Sequence, residues 1–132
     1  KVLELDPYNK AGFSQLGYIY VNQKDYSRAI DAYQRVAELD PDFAGAFFNL
    51  GYIYWVTKNY AKSKEMYQRA VELKPEFLDE ALFNLAMVHA QLGDQEQCLK
   101  NLEQALRVNP QNESVKTYLQ QLKGGSKANH AG

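Results

Sequence analysis

Cysteine and proline are scarce in this chain of 132 residues, which has one Cys and four Pro, and with a net charge of -1 neither charge is in large excess. One cysteine cannot form an intramolecular disulfide, so no oxidising compartment is indicated and a cytoplasmic location is favoured. Balanced charge disfavours nucleic acid as a partner, because proteins that bind phosphates usually carry a basic surplus. No run of about 18 apolar residues occurs, so we expect no membrane insertion.

Groups that catalyse reactions are equally few. There are two histidines, His89 and His130, and Cys98 is the lone thiol, so no cluster has the spacing of metal ligands or of a nucleophile and its base. The glycines are dispersed and form no phosphate-binding loop. We therefore predict no catalytic residues, no metal site and no cofactor, and we do not expect an enzyme.

Aromatic residues, by contrast, are abundant, with ten Tyr, six Phe and one Trp. The chain also repeats itself. The four prolines stand 34, 34 and 35 residues apart, each after a similar short phrase, at Pro7, Pro41, Pro75 and Pro110. A fixed period of this length is typical of solenoid architectures.

Each period contains two helical patterns, with apolar or small residues at i, i+3, i+4 and i+7. The predicted helices cover about 10–22, 25–38, 44–56, 59–73, 79–92 and 94–107, and Asn9 and Asp42 are predicted N-caps. Small residues recur at one position of each helix, where we expect paired helices to approach closely. They are Gly17, Gly51 and Ala86 on the first helices and Ala29, Ser63 and Cys98 on the second.

This register resembles the tetratricopeptide repeat (TPR) family, a 34-residue helix–turn–helix with Leu-Gly, Tyr, Ala, an aromatic, Ala and Pro at fixed offsets. The resemblance implies an all-α solenoid, a right-handed superhelix of three repeats plus a C-terminal capping helix. The expected boundaries are a truncated repeat tail at 1–7, repeats at 8–41, 42–75 and 76–110, the capping helix at 111–123 and a flexible tail at 124–132. The third repeat departs from the pattern at Ala86, His89 and Cys98.

The resemblance also implies that one face of each first helix lines a concave groove. On helix 44–56 the residues outside the inter-helix positions form an apolar stripe, and a helix that is apolar all round is either buried or offers a face to a partner. The predicted peptide-binding groove consists of Tyr18, Phe48, Asn49, Tyr52, Trp55, Phe83, Asn84 and Met87. Alternatively, some of these rings only pack against neighbouring repeats or the capping helix.

Amides at one repeat position suggest how such a groove would hold a peptide. Gln15, Asn49 and Asn84 are equivalent, and an amide pairs with a peptide backbone whatever its sequence. The arrangement resembles the asparagine ladder in the repeats of O-linked N-acetylglucosamine transferase, with ordinary hydrogen bonding inside the repeat as the alternative. The carboxylate clamp of chaperone cofactors falls on Ser14, Tyr18, Asn49, Glu80 and Asn84, where only Asn49 matches. We therefore predict no binding of acidic C-terminal chaperone tails.

These patterns together predict a non-catalytic protein–protein interaction module that binds a peptide or helical segment. The chain begins at Lys1 without an initiator methionine or a signal-peptide pattern, so we expect it to be part of a larger protein. Two alternatives stay open. One is self-association through exposed repeat ends, and the other is substrate recognition for an enzyme whose catalytic domain lies outside this chain.

Overall fold

The computed structural model describes residues 9–131, so the predicted repeat tail at 1–7 lies outside the described residues. This part of the chain is helical and contains no strand. The helices are α1 (Lys10–Asn22), α2 (Tyr26–Leu39), α3 (Ala44–Val56), α4 (Tyr60–Glu72), α5 (Leu78–Gln91), α6 (Gln95–Val108) and α7 (Glu113–Ala131). The first six match the predicted helices to within one residue at each end, which confirms the all-α helical repeat solenoid.

Each of the three helix pairs is joined by a three-residue turn that ends in an N-cap. The cap side chain accepts a hydrogen bond from a backbone N–H of the first turn of the second helix, and the caps are Asp25, Asn59 and Asp94. The residue before each cap has a positive φ, at Lys24, Lys58 and Gly93. Only glycine adopts that conformation without a steric penalty, so the first two turns carry local strain that the third avoids.

One predicted cap is correct and the other is wrong. Asn9 accepts from the backbone N–H of Gly12 at 2.9 Å, as predicted for an N-cap of α1. The N-cap residue of α3 is Phe43, whose side chain makes no cap hydrogen bond, and not Asp42. The reason lies in the connector, where Asp40 accepts from the Asp42 backbone N–H at 3.2 Å and so fixes the chain before the helix begins.

The chain divides into two compact units, Lys1–Glu76 and Phe77–Gly132. In the first unit, residues of α2 and α3 form one core cluster of Ala29, Tyr33, Leu50, Ile53 and Tyr54. In the second unit, the largest fully buried side chains come from α5, α6 and α7, and are Leu82, Val88, Cys98, Leu102 and Val115. Each unit therefore has an apolar core of its own, as expected for packed helical layers.

Two glycines permit the closest approach between paired helices. A Cβ at Gly17 would lie 2.6 Å from the Tyr33 ring, and a Cβ at Gly51 would lie 2.8 Å from the Tyr67 ring. Beside the second contact, the Ser63 hydroxyl donates to the Gly51 carbonyl oxygen at 2.8 Å. The predicted close contact at the small residues is thus present in both repeats of the first unit, with a tyrosine ring lying on bare helix backbone.

The last helix is longer than the predicted capping helix. Asn112 accepts from the backbone N–H of Val115 at 3.1 Å and caps α7, which then buries Val115 and Leu119. The helix continues past the predicted boundary at 123, through Gly124 and Gly125 to Ala131. No proline follows Pro110, and each glycine costs a helix only about 1 kcal/mol.

Gly51→Ala should lower the free energy of unfolding by about 1–3 kcal/mol, because the added methyl overpacks the Tyr67 ring. The third repeat has Ala86 and Leu102 at these two positions. The double variant Gly51→Ala/Tyr67→Leu should therefore be more stable than the sum of its single changes predicts. Urea unfolding of the four proteins measures this coupling, and strictly additive losses would contradict the close contact.

Candidate functional site

Two exposed tyrosines mark the predicted groove in the first unit. Tyr18 on α1 and Tyr52 on α3 occupy the same repeat position, and they are 64% and 46% exposed. Large aromatic side chains bury much area when a partner covers them. Exposure of two such rings at equivalent positions is the feature of the first unit that most resembles a binding surface.

The other rings of the first unit have partners inside their own repeat. Phe48 is half-buried and meets Tyr67 edge-on, with ring centroids 5.7 Å apart. Trp55 is half-buried and meets Tyr60 edge-on at 5.3 Å. Both contacts lie inside the second repeat and involve neither a neighbouring repeat nor the capping helix.

The exposed surface and the helix contact beneath it are joined through the core tyrosines. Burial raises the pKa of the Tyr33 hydroxyl, and the nearby Tyr18 hydroxyl raises it further. Tyr33 lies on Gly17, and Tyr67, which contacts Phe48, lies on Gly51. The predicted groove residue Phe48 thus contacts one of the two rings that close the helix pairs, and Tyr18 acts electrostatically on the other.

Three predicted groove residues belong to the second unit, where Phe83, Asn84 and Met87 are all half-buried on α5. Phe83 meets Tyr118 of α7 edge-on, with centroids 6.2 Å apart. A cavity of about 400 Å³, which we call the polar cavity, lies next to this ring. It is lined by Asp79, Glu80, Phe83, Asn84, Asn109, Asn112 and Ser114. The structure thus brings Phe83 and Asn84 together with polar groups that the groove prediction did not include.

Asp79 organises the wall of the polar cavity. Its Oδ2 accepts from Asn109 Nδ2 at 2.9 Å and from Asn112 Nδ2 at 2.8 Å. Burial raises the pKa of this carboxyl, but the two amides, together with the backbone N–H groups of Asp79 and Glu80, outweigh that effect and hold the pKa below its ordinary value. The carboxylate is therefore ionised and fixed in place.

The sequence contained a signal for this contact. In the first repeat, Lys10 Nζ lies 2.8 Å from Asp40 Oδ2, across the same separation of 30 residues as Asp79 and Asn109. Both pairs join the start of a first helix to the connector after the second helix. The first and third repeats both have polar residues at these two positions, whereas the second repeat has Ala44 at the first of them, so the contact is not shared by every repeat.

The part of the chain that the structure describes contains no group of His, Cys, Asp and Glu that could hold a metal ion. Cys98 is fully buried, and burial, followed by the charge of Asp94, raises the pKa of its thiol. A raised pKa disfavours the reactive thiolate. None of the helices within residues 9–131 is both long and apolar enough to span a bilayer.

Comparison with known families identifies the fold. Residues 17–56 match the family described as TPR repeat, and residues 42–111 match the family described as Tetratricopeptide repeat. The second match alone covers more than half of the chain, so the chain belongs to the tetratricopeptide repeat family. At a coarse level, membership of this family makes it a protein–protein interaction module. No curated protein matches the chain.

Solved structures of the same fold are similar to the chain at low identity. The first TPR of Spaghetti (RPAP3), bound to the HSP90 peptide SRMEEVD, has a TM-score of 0.81 and 22% identity, covering 92% of this chain and 96% of that one. MamA has a TM-score of 0.78 and 23% identity, covering 86% and 66%. YrrB, a TPR protein with an unusual peptide-binding site, has 0.76 and 21%, covering 86% and 58%. The chain thus spans less than two thirds of MamA and of YrrB.

Asp79→Asn should make the protein less sensitive to acid. Because the folded-state pKa of Asp79 lies below the unfolded value, its charge stabilises the fold above about pH 4, and this contribution is lost as the pH falls through the folded-state value. We expect the wild type to exceed the variant by about 1 kcal/mol in unfolding free energy at pH 7. The gap should narrow as the pH falls below about 4. Urea unfolding at a series of pH values, with the exposed Asp31→Asn as control, measures it, and a constant gap would contradict the assignment.

Proposed function

We propose that this chain binds an extended or helical peptide segment of another protein on the exposed face of its first helices. The observation that carries the proposal is the exposure of Tyr18 and Tyr52, two aromatic rings at one repeat position. Tyrosine is common among residues that dominate binding energy, because it offers a large area at a low entropy cost. A single small module of this kind is expected to bind with micromolar affinity, about -8 kcal/mol.

Amide side chains next to these rings support recognition of a peptide backbone. Asn49 is half-buried on α3, at the position that Asn84 takes on α5. An amide has both donors and an acceptor, so the Asn49 side chain can pair with a main chain irrespective of side chains. Aromatic area would then supply most of the affinity, and the amides would set the direction of the peptide.

An acidic C-terminal tail is not the ligand we propose. The Spaghetti structure is bound to the acidic peptide SRMEEVD. On this chain the clamp positions are Ser14, Tyr18, Asn49, Glu80 and Asn84, which include no basic residue and one carboxylate. Without lysine or arginine, nothing at these positions would offset the cost of desolvating a terminal carboxylate.

Self-association is a second candidate function, favoured by one comparison within the first unit. Leu50 and Tyr54 of α3 are 2% and 8% exposed, whereas the equivalent Leu16 and Tyr20 of α1 are only half-buried. Leu16 and Tyr20 line a cavity of about 360 Å³, together with Phe13 and Ala32. Apolar positions that are covered in one repeat and open in another can be covered by a second copy of the chain.

Replacing Tyr18 and Tyr52 together by alanine should weaken peptide binding at least about tenfold while leaving the fold intact, since exposed side chains contribute little to stability. Peptides are first selected from a random display library against the wild type, and their affinities are then measured by calorimetry. The matched control is Ile19→Ala/Leu99→Ala, which removes two other exposed apolar side chains, 46% and 38% exposed. Equal affinity of the wild type and of the Tyr18/Tyr52 variant for every selected peptide would contradict the proposal.

Sedimentation velocity tests the second candidate. If α1 docks against another copy, the sedimentation coefficient of the wild type should rise with concentration, and Leu16→Gln should abolish the rise because it places an amide in an apolar contact. A protein that sediments as a monomer up to about millimolar concentration excludes self-association at this face.

A further inference from the structure

We infer that the polar cavity of the second unit binds the guanidinium group of an arginine in a basic peptide segment. This inference deepens the proposed function, on which it rests, because it names the chemistry of the ligand at one place on the chain. It combines a cavity, a wall with two carboxylates and no lysine or arginine, and an aromatic ring at the cavity.

The charge of the wall selects a cation. Two of the seven lining residues, Asp79 and Glu80, carry carboxylates, and none is a lysine or arginine. Helices α5 and α7 both begin here, and each N-terminus is equivalent to about half a positive charge. These two ends cancel about one of the two carboxylate charges and leave a cavity with a net charge of about -1. A cation is therefore attracted, and a peptide carboxylate is repelled.

The two carboxylates have different roles. Asp79 is occupied by Asn109 and Asn112, which fix the shape of the wall. Glu80 is exposed, and none of the ion pairs among residues 9–131 involves it. Glu80 can therefore turn towards an incoming cation without giving up an ion pair. A guanidinium group, with its planar set of donors, can bind such a carboxylate through two parallel hydrogen bonds.

The remaining wall suits arginine better than lysine. The amide oxygens of Asn109 and Asn112 accept from backbone N–H groups of the following turn, so both side chains are held in place. Phe83 is kept in position by its edge contact with Tyr118. A guanidinium stacks on an aromatic ring. It is also more weakly hydrated than an ammonium group, so it loses less hydration free energy when it enters a partly closed site. The volume, about 400 Å³, falls within the usual range for small-ligand sites.

Three capped peptides of glycine and serine test this inference on the full chain. One has a central arginine, one has citrulline, which keeps the shape of arginine but has no charge, and one has aspartate. Each is titrated into isotope-labelled protein at low ionic strength while backbone amide shifts are followed by NMR. We expect the arginine peptide to shift amides within 78–84 and 109–115, with a dissociation constant of about 1 mM. The citrulline peptide should bind at least about fivefold more weakly, and the aspartate peptide should not bind.

Glu80→Gln should weaken binding of the arginine peptide by about fivefold or more, because it removes the exposed carboxylate without changing the shape of the side chain. The matched control is Glu103→Gln, which changes the net charge equally on an exposed residue of α6 that does not line the cavity. The control should bind like the wild type. Equal weakening by both variants, equal binding of arginine and citrulline, or no saturable shift at the cavity up to about 10 mM would each overturn the inference.

Failure here is distinguishable from failure of the proposed function. If selected peptides bind more weakly to the Tyr18/Tyr52 variant but not to Glu80→Gln, binding at the tyrosine surface (Tyr18 and Tyr52) is supported and the arginine site is contradicted. The reverse pattern would keep the arginine site and remove the tyrosine surface. Peptides weakened by both variants support both proposals, and arginine should then be enriched among their sequences.

Discussion

The contact between a tyrosine ring and the bare backbone of a facing helix is the constraint on which the first unit depends. Gly17 and Gly51 have no side chain, so Tyr33 and Tyr67 lie directly on α1 and α3. Close approach brings the two helices of each repeat together and leaves room around the ring for further aromatic residues, of which Phe48 is one. The third repeat has a different pair at these positions, with Ala86 in place of glycine and Leu102 in place of tyrosine.

A helix that uses one side for its partner in the repeat and another for the neighbouring repeat has a third side left over. On α1 and α3 this third side exposes Tyr18 and Tyr52 to water, although burial of apolar surface would stabilise the fold. The fold does not require tyrosine there, as Met87 at the same position of α5 shows. Features that packing does not explain are reasonable places to look for binding, and the polar cavity with its charged wall is another in the second unit.

Much of the fold could be predicted from the sequence because it depends on local and periodic signals. Helical periodicity placed six helices to within one residue, and the recurrence of small residues located the contacts at Gly17 and Gly51. The end of α7 could not be placed, because two glycines lower helix stability without deciding where the helix stops. The cap at Phe43 was missed because the connector is fixed by Asp40, which is also held by Lys10 from far along the chain.

The candidate site was less predictable for a related reason. Repeat position identifies which side of a helix a residue occupies, but it does not distinguish the exposed Tyr52 from Phe48 and Trp55, whose rings meet partners of their own. The polar cavity depends on Asn109 and Asn112 reaching back to Asp79 over 30 and 33 residues. Such a tie is set by three-dimensional packing, and a single sequence indicates it only through comparison with the first repeat.

The positive φ angles at the helix junctions also have a consequence for how the chain is cut. Lys24, Lys58 and Lys74 hold these strained positions, and all three are exposed. Proteases favour exposed turns over intact helices. An enzyme that cleaves after lysine therefore finds its residue at both turns within the repeats of the first unit, whereas the bond after Lys74 precedes Pro75 and resists such an enzyme. The corresponding turn of the third repeat has Gly93 and offers no such bond, so cleavage at the two turns of the first unit would leave α2 joined to α3 and α5 joined to α6.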